Sequence, residues 1–316
     1  MPFEYVCLIM IKILPLINVF IFVITSNSIC QMKDTIVTIH SFESKYVIPR
    51  RVDIWLPAGY LNNPESRVPV IYMHDGQNLF DADLAFGGEA WGADSTIKRM
   101  VNQGLIPEMI VVGIWNTRFR FTEYMPPKPF VLLQPEMQEM LVDEYEGYPD
   151  GDDYLKFIAS ELKPFIDQNF RTLPGMETTL IMGSSMGGLI SAYAMCEYPD
   201  VFGRAGCLST HWIGSLEGDF DEFSDAMVIY MTQNMPAPGK HKFYFDFGSL
   251  GLDSLYRQHQ AKIDTVMMSV GYTFGKDWTT KNFTRQDHNE RSWRSRLNVP
   301  LLFLAGKENP DNPACK

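Results

Sequence analysis

A series of short, unbroken apolar runs limits what this chain can fold into more than any other feature. VPVIYMHDG (68–76), MIVVGIWN (109–116), TTLIMGS (178–184), RAGCLST (204–210), KFYFDFGS (242–249) and PLLFLAG (300–306) each end in polar or small residues. A strand with one wet face alternates apolar and polar positions. A strand buried on both faces reads as a continuous apolar run, as in a parallel sheet covered by helices. DTIVTIHSF (34–42) and RVDIWLP (51–57), rich in β-branched residues and close in sequence, predict an antiparallel pair at the start of that sheet.

Helical spacing fills the intervals. Leu155, Ile158, Leu162, Phe165 and Ile166 share one face of a helix over 152–170, with Pro164 a candidate kink. Further helices are predicted over 187–199, up to Pro199, and over 252–272, closing near Gly271. Strands alternating with helices specify an α/β fold: a central, mostly parallel sheet with helices on both faces and right-handed crossovers. Segments 117–150 and 211–225 break the alternation and are expected as insertions over the carboxyl end of the sheet, where ligands bind.

LIMIKILPLINVFIFVITSNSIC (8–30) carries one lysine, Lys12, before the apolar core LPLINVFIFVI (14–24), and then turns small and polar. The pattern predicts a signal peptide over 1–30, cleaved after Cys30, and a single domain over 31–316 in a secreted or periplasmic protein. Membrane attachment would come only through an uncleaved or lipidated N-terminus. Beyond Cys30 the cysteines are Cys196, Cys207 and Cys315, an odd number without CxxC spacing, so neither a disulfide framework nor a zinc site is expected. The net charge of −11, with the acids scattered, argues against nucleic acid as a partner. No HExxH or EF-hand spacing is present, the acidic stretch EGDFDEFSD (217–225) reads as a solvated insertion, and no metal or cofactor is expected.

GSSMGG (183–188) follows an apolar strand and opens a helix. That context suits a nucleophile elbow, whose serine sits on a turn so sharp that small residues are needed two before and two after it. Gly183 and Gly187 flank Ser185 in this way, whereas Ser184 would be flanked by Met182 and Met186. A serine needs a base, and the base a carboxylate to orient it; behind such an elbow the acid and then the base follow in the chain. His288, on the polar loop RQDHNERSW (285–293), is the favoured base, with His211 the alternative. Asp253, in a loop after a strand, is favoured as the acid, with Asp246 inside that strand the alternative. The oxyanion donors are expected from the backbone of Met186, after the serine, and of Gly76 and Gln77 in HDGQNLFD (74–81). His74 reads as a loop-shaping residue. His241 and His259 read as solvated, and Trp91 and Trp212 as packing residues or contacts for an aromatic or sugar group.

VIYMHDGQNLFD (70–81), VVGIWNTRFRFTEYMP (111–126), IMGSSMGG (181–188), FDFGSLGLD (245–253) and DHNERSW (287–293), in this order, resemble the putative-esterase family of α/β-hydrolases. That family includes feruloyl and acetyl-xylan esterases, enterochelin esterase-like proteins and mycolyltransferases. The resemblance implies an α/β-hydrolase fold and a Ser185–His288–Asp253 triad that cleaves an ester through an acyl-enzyme. The expected partner is a small-molecule or polysaccharide ester, such as an acylated carbohydrate of feruloyl or acetyl type. Acyl transfer by the same triad, or a non-catalytic carbohydrate- or siderophore-binding protein on the same fold, are the alternatives.

Overall fold

The computed structural model describes residues 32–307 except Asp219. The expected signal peptide, with Cys7 and Cys30, and Cys315 lie outside the described residues. Eight strands form one sheet: β1 (Thr35–Phe42), β2 (Arg50–Leu56), β3 (Val70–His74), β4 (Ile110–Ile114), β5 (Thr179–Ser184), β6 (Arg204–Leu208), β7 (Lys242–Phe247) and β8 (Trp278–Asn282). Their order is β1-β2-β4-β3-β5-β6-β7-β8. β1 runs antiparallel to β2 and β2 antiparallel to β4, while β4, β3, β5, β6, β7 and β8 are parallel.

The continuous apolar runs are explained by what lies on each side. Successive strand residues point to opposite faces. Val70 and Tyr72 of β3 join the core beneath the helices Gly151–Phe157, Met186–Glu197, Asp221–Asn234 and Tyr256–Ser269. Ile71 and Met73 join a second core with Ile97 and Met100 of Ala93–Asn102, and with Leu301 and Leu304 of Asn298–Ala305. Each side chain so buried contributes about 1.5–3 kcal/mol. The α/β fold with helices on both faces is therefore required by the pattern.

One expectation needs correction. PLLFLAG is not the last strand but part of the helix Asn298–Ala305. Its Leu and Ala are good helix formers, and Pro300 falls in the first turn, where no intrahelical N–H is needed. The edge position goes instead to β8, WTTKN, whose outer end is exposed and polar. The 152–170 helix has a π turn at Ile158–Leu162 immediately before Pro164, which accommodates the N–H that proline lacks, and it resumes as Lys163–Asn169. The insertion 117–150 folds into the short helices Arg120–Tyr124, Pro127–Phe130 and Pro135–Glu144.

Strand order reverses around β3, and its register with β5 pairs Met73 with Met182. The loops leaving β3 and β5 therefore emerge side by side, at the kind of switch point where α/β sheets bind ligands. The loops after β6, β7 and β8 continue along the same edge.

Candidate active site

Ser185 stands between β5 and the helix Met186–Glu197 with φ 57° and ψ −122°, a strained conformation for a residue with a side chain. Three backbone bonds hold it there. Its N–H donates to Leu208 O at 2.9 Å, and its carbonyl accepts from Leu189 N at 3.1 Å and His211 N at 3.2 Å. The turn closes so tightly that a Cβ on Gly183 would lie 2.8 Å from the Cα of Gly187. Gly183 is thus a steric requirement of the turn, while a Cβ on Gly187 would press on His74 Cβ at 3.3 Å.

His288 sits just before the N-cap of the helix Glu290–Arg296, whose Asn289 side chain accepts from Ser292 N at 2.9 Å. Its Nδ1 lies 2.6 Å from Asp253 Oδ1. A carboxylate can only accept here, so Nδ1 carries the hydrogen and Nε2 is left as the basic nitrogen. The loops bearing the pair are tied together, because Ser249 N and Leu250 N both donate to Gln286 O, at 2.9 and 3.0 Å. The His288 ring packs edge-on against Trp293 and Tyr256, at 5.0 and 5.7 Å between centroids, and the Tyr256 hydroxyl in turn faces the Ser185 side chain.

Burial pushes the Asp253 carboxyl up, but the His288 bond and charge, the Ser209 hydroxyl and Gly248 N–H together hold it below its ordinary value. Asp246 is a different kind of carboxylate. It takes no bond from His288 and meets the Arg296 guanidinium at 3.0 and 3.2 Å, and burial leaves it raised despite that partner.

His211 is fully buried, with Nδ1 3.0 Å from the Tyr256 hydroxyl, and burial pushes it down to about 3, so it stays neutral. His74 is likewise buried and lowered to about 3, with Nδ1 2.8 Å from the Tyr154 hydroxyl. Neither His241 nor His259 is solvated. His241 Nε2 lies 2.9 Å from Pro199 O, and His259, wholly buried, has Nδ1 2.9 Å from Ser224 Oγ. Trp91 and Trp212 are packing residues: Trp91 packs at a tilt against Trp293, 5.7 Å between centroids, and the Trp212 indole donates to Gln260 at 2.8 Å.

The loop after β3 presents the other N–H groups. Asp75 takes a left-handed turn (φ 55°, ψ 49°), and Gly76–Asn78 begins a short 3₁₀ helix. Gly76 and Gln77 there, and Met186 at the start of its own helix, are first-turn positions whose N–H groups have no intrahelical partner. Arg120 grips both Asp75 carboxylate oxygens at 2.7 and 2.8 Å, and Asn116 adds a third bond at 2.7 Å. Burial pushes the Asp75 carboxyl up, and Arg120 together with the Asn116 bond and the His74 charge outweighs this, leaving it lowered. The helical segment 117–150 thus braces the β3 loop through Arg120. It reaches the β6 loop as well: Tyr145 donates to Gly214 O at 2.7 Å, and Glu144 accepts from Ser215 Oγ and Leu216 N, both at 2.6 Å.

A family model described as "Putative esterase" matches residues 47–304. The chain belongs to the putative-esterase family. This family member is similar over 200 residues, at 26% identity, to the uncharacterized protein YbbA of Bacillus subtilis (strain 168), covering 63% of this chain and 68% of that one. Among solved structures, it resembles a ferulic acid esterase (TM-score 0.61, 17% identity, 86% of this chain and 97% of that chain). It also resembles an IroE-like serine hydrolase from Shewanella oneidensis (0.59, 21%, 85% and 80%) and the enterobactin esterase of Shigella flexneri (0.62, 15%, 87% and 59%). These likenesses share the fold, and the family makes the protein a carboxylic ester hydrolase.

Sequence reasoning missed Arg120, Asn116, Ser209, Tyr256 and Arg296. The one available signal was the pairing of Asp246, in an apolar strand, with arginines downstream, since a buried carboxylate needs a cation. Among the described residues no group of three or more His, Cys, Asp or Glu side chains could hold a metal ion.

Proposed function

We propose that the protein is a serine carboxylesterase that cleaves an acylated carbohydrate, of feruloyl or acetyl type, through an acyl-enzyme on Ser185. The observation that carries this reading is the 2.6 Å Asp253–His288 pair on the same sheet edge as the strained Ser185 turn. In this mechanism His288 Nε2 takes the Ser185 proton as Oγ attacks the ester carbonyl. Asp253 stabilises the imidazolium that forms. The negative charge on the carbonyl oxygen falls to the N–H groups of Met186 and of Gly76 or Gln77. His288 returns the proton to the departing alcohol, and a water activated by the same nitrogen then releases the acid. The ferulic acid esterase likeness supports the choice of acyl group. Export through the apolar segment 8–30 is part of the proposal and fits a polymeric or extracellular ester.

The test is turnover of 4-nitrophenyl acetate and of feruloylated and acetylated sugars by wild type and by Ser185→Ala. Wild type should turn over at least one of the sugar esters. The variant should lose at least about three orders of magnitude in kcat. Turnover by Ser185→Ala near the wild-type rate would exclude Ser185 as nucleophile.

A further inference from the structure

We propose that Ser209 and Arg296 are positioning residues for this reaction, acting through Asp253 to hold the proton of its hydrogen-bond network in one direction. The proposal rests on the triad reading above. Ser209, at the end of β6, is fully buried, and its hydroxyl has three partners. Trp293 Nε1 donates to it at 3.0 Å and Arg296 Nη2 at 2.8 Å, while Asp253 Oδ2 lies 2.7 Å away. An indole N–H and a guanidinium can only donate, so both acceptor sites of the hydroxyl are taken and its one hydrogen must point at Asp253. Gly248 N–H also donates to Oδ2, at 2.5 Å. One oxygen of Asp253 is thus saturated, and the other is reserved for His288 Nδ1.

Arg296 completes the arrangement in charge as well as geometry. Its Nε and Nη2 clasp Asp246, at 3.2 and 3.0 Å, and Nη2 lies 3.8 Å from Asp253 Oδ2. With 2% of the guanidinium side chain exposed and none of either carboxylate, the cluster holds one positive and two negative charges away from water. It therefore carries one excess negative charge while His288 is neutral. It becomes balanced when His288 accepts the Ser185 proton, the point at which charge complementarity accelerates the reaction. Asp246 is thereby the counter-ion that keeps Arg296 in place. Trp293 and Arg296, three apart on the helix Glu290–Arg296, reach Ser209 from the same helix face and couple the helix after His288 to the β6 loop.

A double-mutant cycle tests this. Second-order labelling of Ser185 by a fluorophosphonate is measured in wild type, S209A, D253N and the double variant, with kcat and KM for 4-nitrophenyl acetate alongside. S209A should lower labelling and kcat about tenfold, as expected for one lost charge-assisted bond, with KM within about twofold. In the D253N background the same substitution should cost less than about twofold, because there is no carboxylate left to orient. R296K keeps the charge but offers one nitrogen for two partners, and it should show the same coupling; it replaces S209A in the cycle if circular dichroism shows S209A unfolded. Equal losses in both backgrounds, or no loss in S209A, would overturn the proposal. If S185A abolishes labelling while S209A labels at the wild-type rate, only this inference fails. If S185A still labels, the triad reading fails with it.

Discussion

Gly76→Ala separates the β3 loop from every other part of the site. A Cβ at Gly76 would stand 2.5 Å from the carbonyl carbon of Gly113, 2.7 Å from its oxygen and 2.8 Å from Ile114 N. All three are backbone atoms of β4, a central strand paired to β2 and β3, and none can rotate aside. Ordinary contact begins at 3.4 Å, so the loop must retreat by about 0.9 Å. It carries the Gly76 and Gln77 N–H groups with it. Misplacement by about 1 Å costs on the order of 100-fold in a preorganised site, and loss of one oxyanion donor about 100- to 1,000-fold in kcat. The expected result is a kcat for 4-nitrophenyl acetate lower by about two orders of magnitude with KM changed little, since the donors act on the transition state and not on the bound ester. Overpacking should also cost about 1–3 kcal/mol of stability, read from urea unfolding. A kcat within threefold of wild type in a folded Gly76→Ala protein would refute both the clash and the oxyanion role of this loop.

The remaining predictions concern stability. At φ 57° and ψ −122° Ser185 is strained, so Ser185→Gly should be about 1 kcal/mol more stable than Ser185→Ala; equal midpoints in urea would remove the strain argument. His74 and His211 are both depressed from 6.5 to about 3, so each binds a proton on unfolding between those values and their stabilisation, complete above pH 6.5, is lost as pH falls. Asp150, raised to about 6 by burial and then by Asp153, binds a proton when folded and opposes them. These three groups alone give a loss of about 1.4 kcal/mol per pH unit between pH 6 and 5, which the raised Asp246, Asp264 and Glu290 reduce, and a stability that rises in urea unfolding as pH falls through this range would contradict it.

Much of the architecture was legible because burial on two faces leaves an unmistakable mark. A strand such as VIYMH can be continuous only if Val70 and Tyr72 meet one core and Ile71 and Met73 another. The strand–elbow–helix at Ser185 was legible for a local reason, since any side chain at 183 would bring its Cβ to 2.8 Å from the Gly187 Cα. The edge strand β8 carried no such mark, because its outer residues face water, and PLLFLAG gave the same apolar signal whether helix or strand. The buried His241 and His259 were misread for a similar reason: neighbouring Lys240 and Gln258 say nothing about which way an imidazole points.

What the sequence determined by itself is the sheet with two covered faces, the identity of the turn serine and the chain order of the residues behind it. These depend on periodicity and on steric limits within a few residues. The choice of Asp253 over Asp246 as the partner of His288 depended on tertiary structure, as did the network of Ser209, Trp293 and Arg296 behind Asp253 and the Arg120 clasp on Asp75. Each joins side chains far apart in the chain, such as Asp253 and His288, 35 positions apart, or Ser209 and Arg296, 87 positions apart. Hydrogen-bond direction and charge balance exist only once the sheet has brought those loops to one edge.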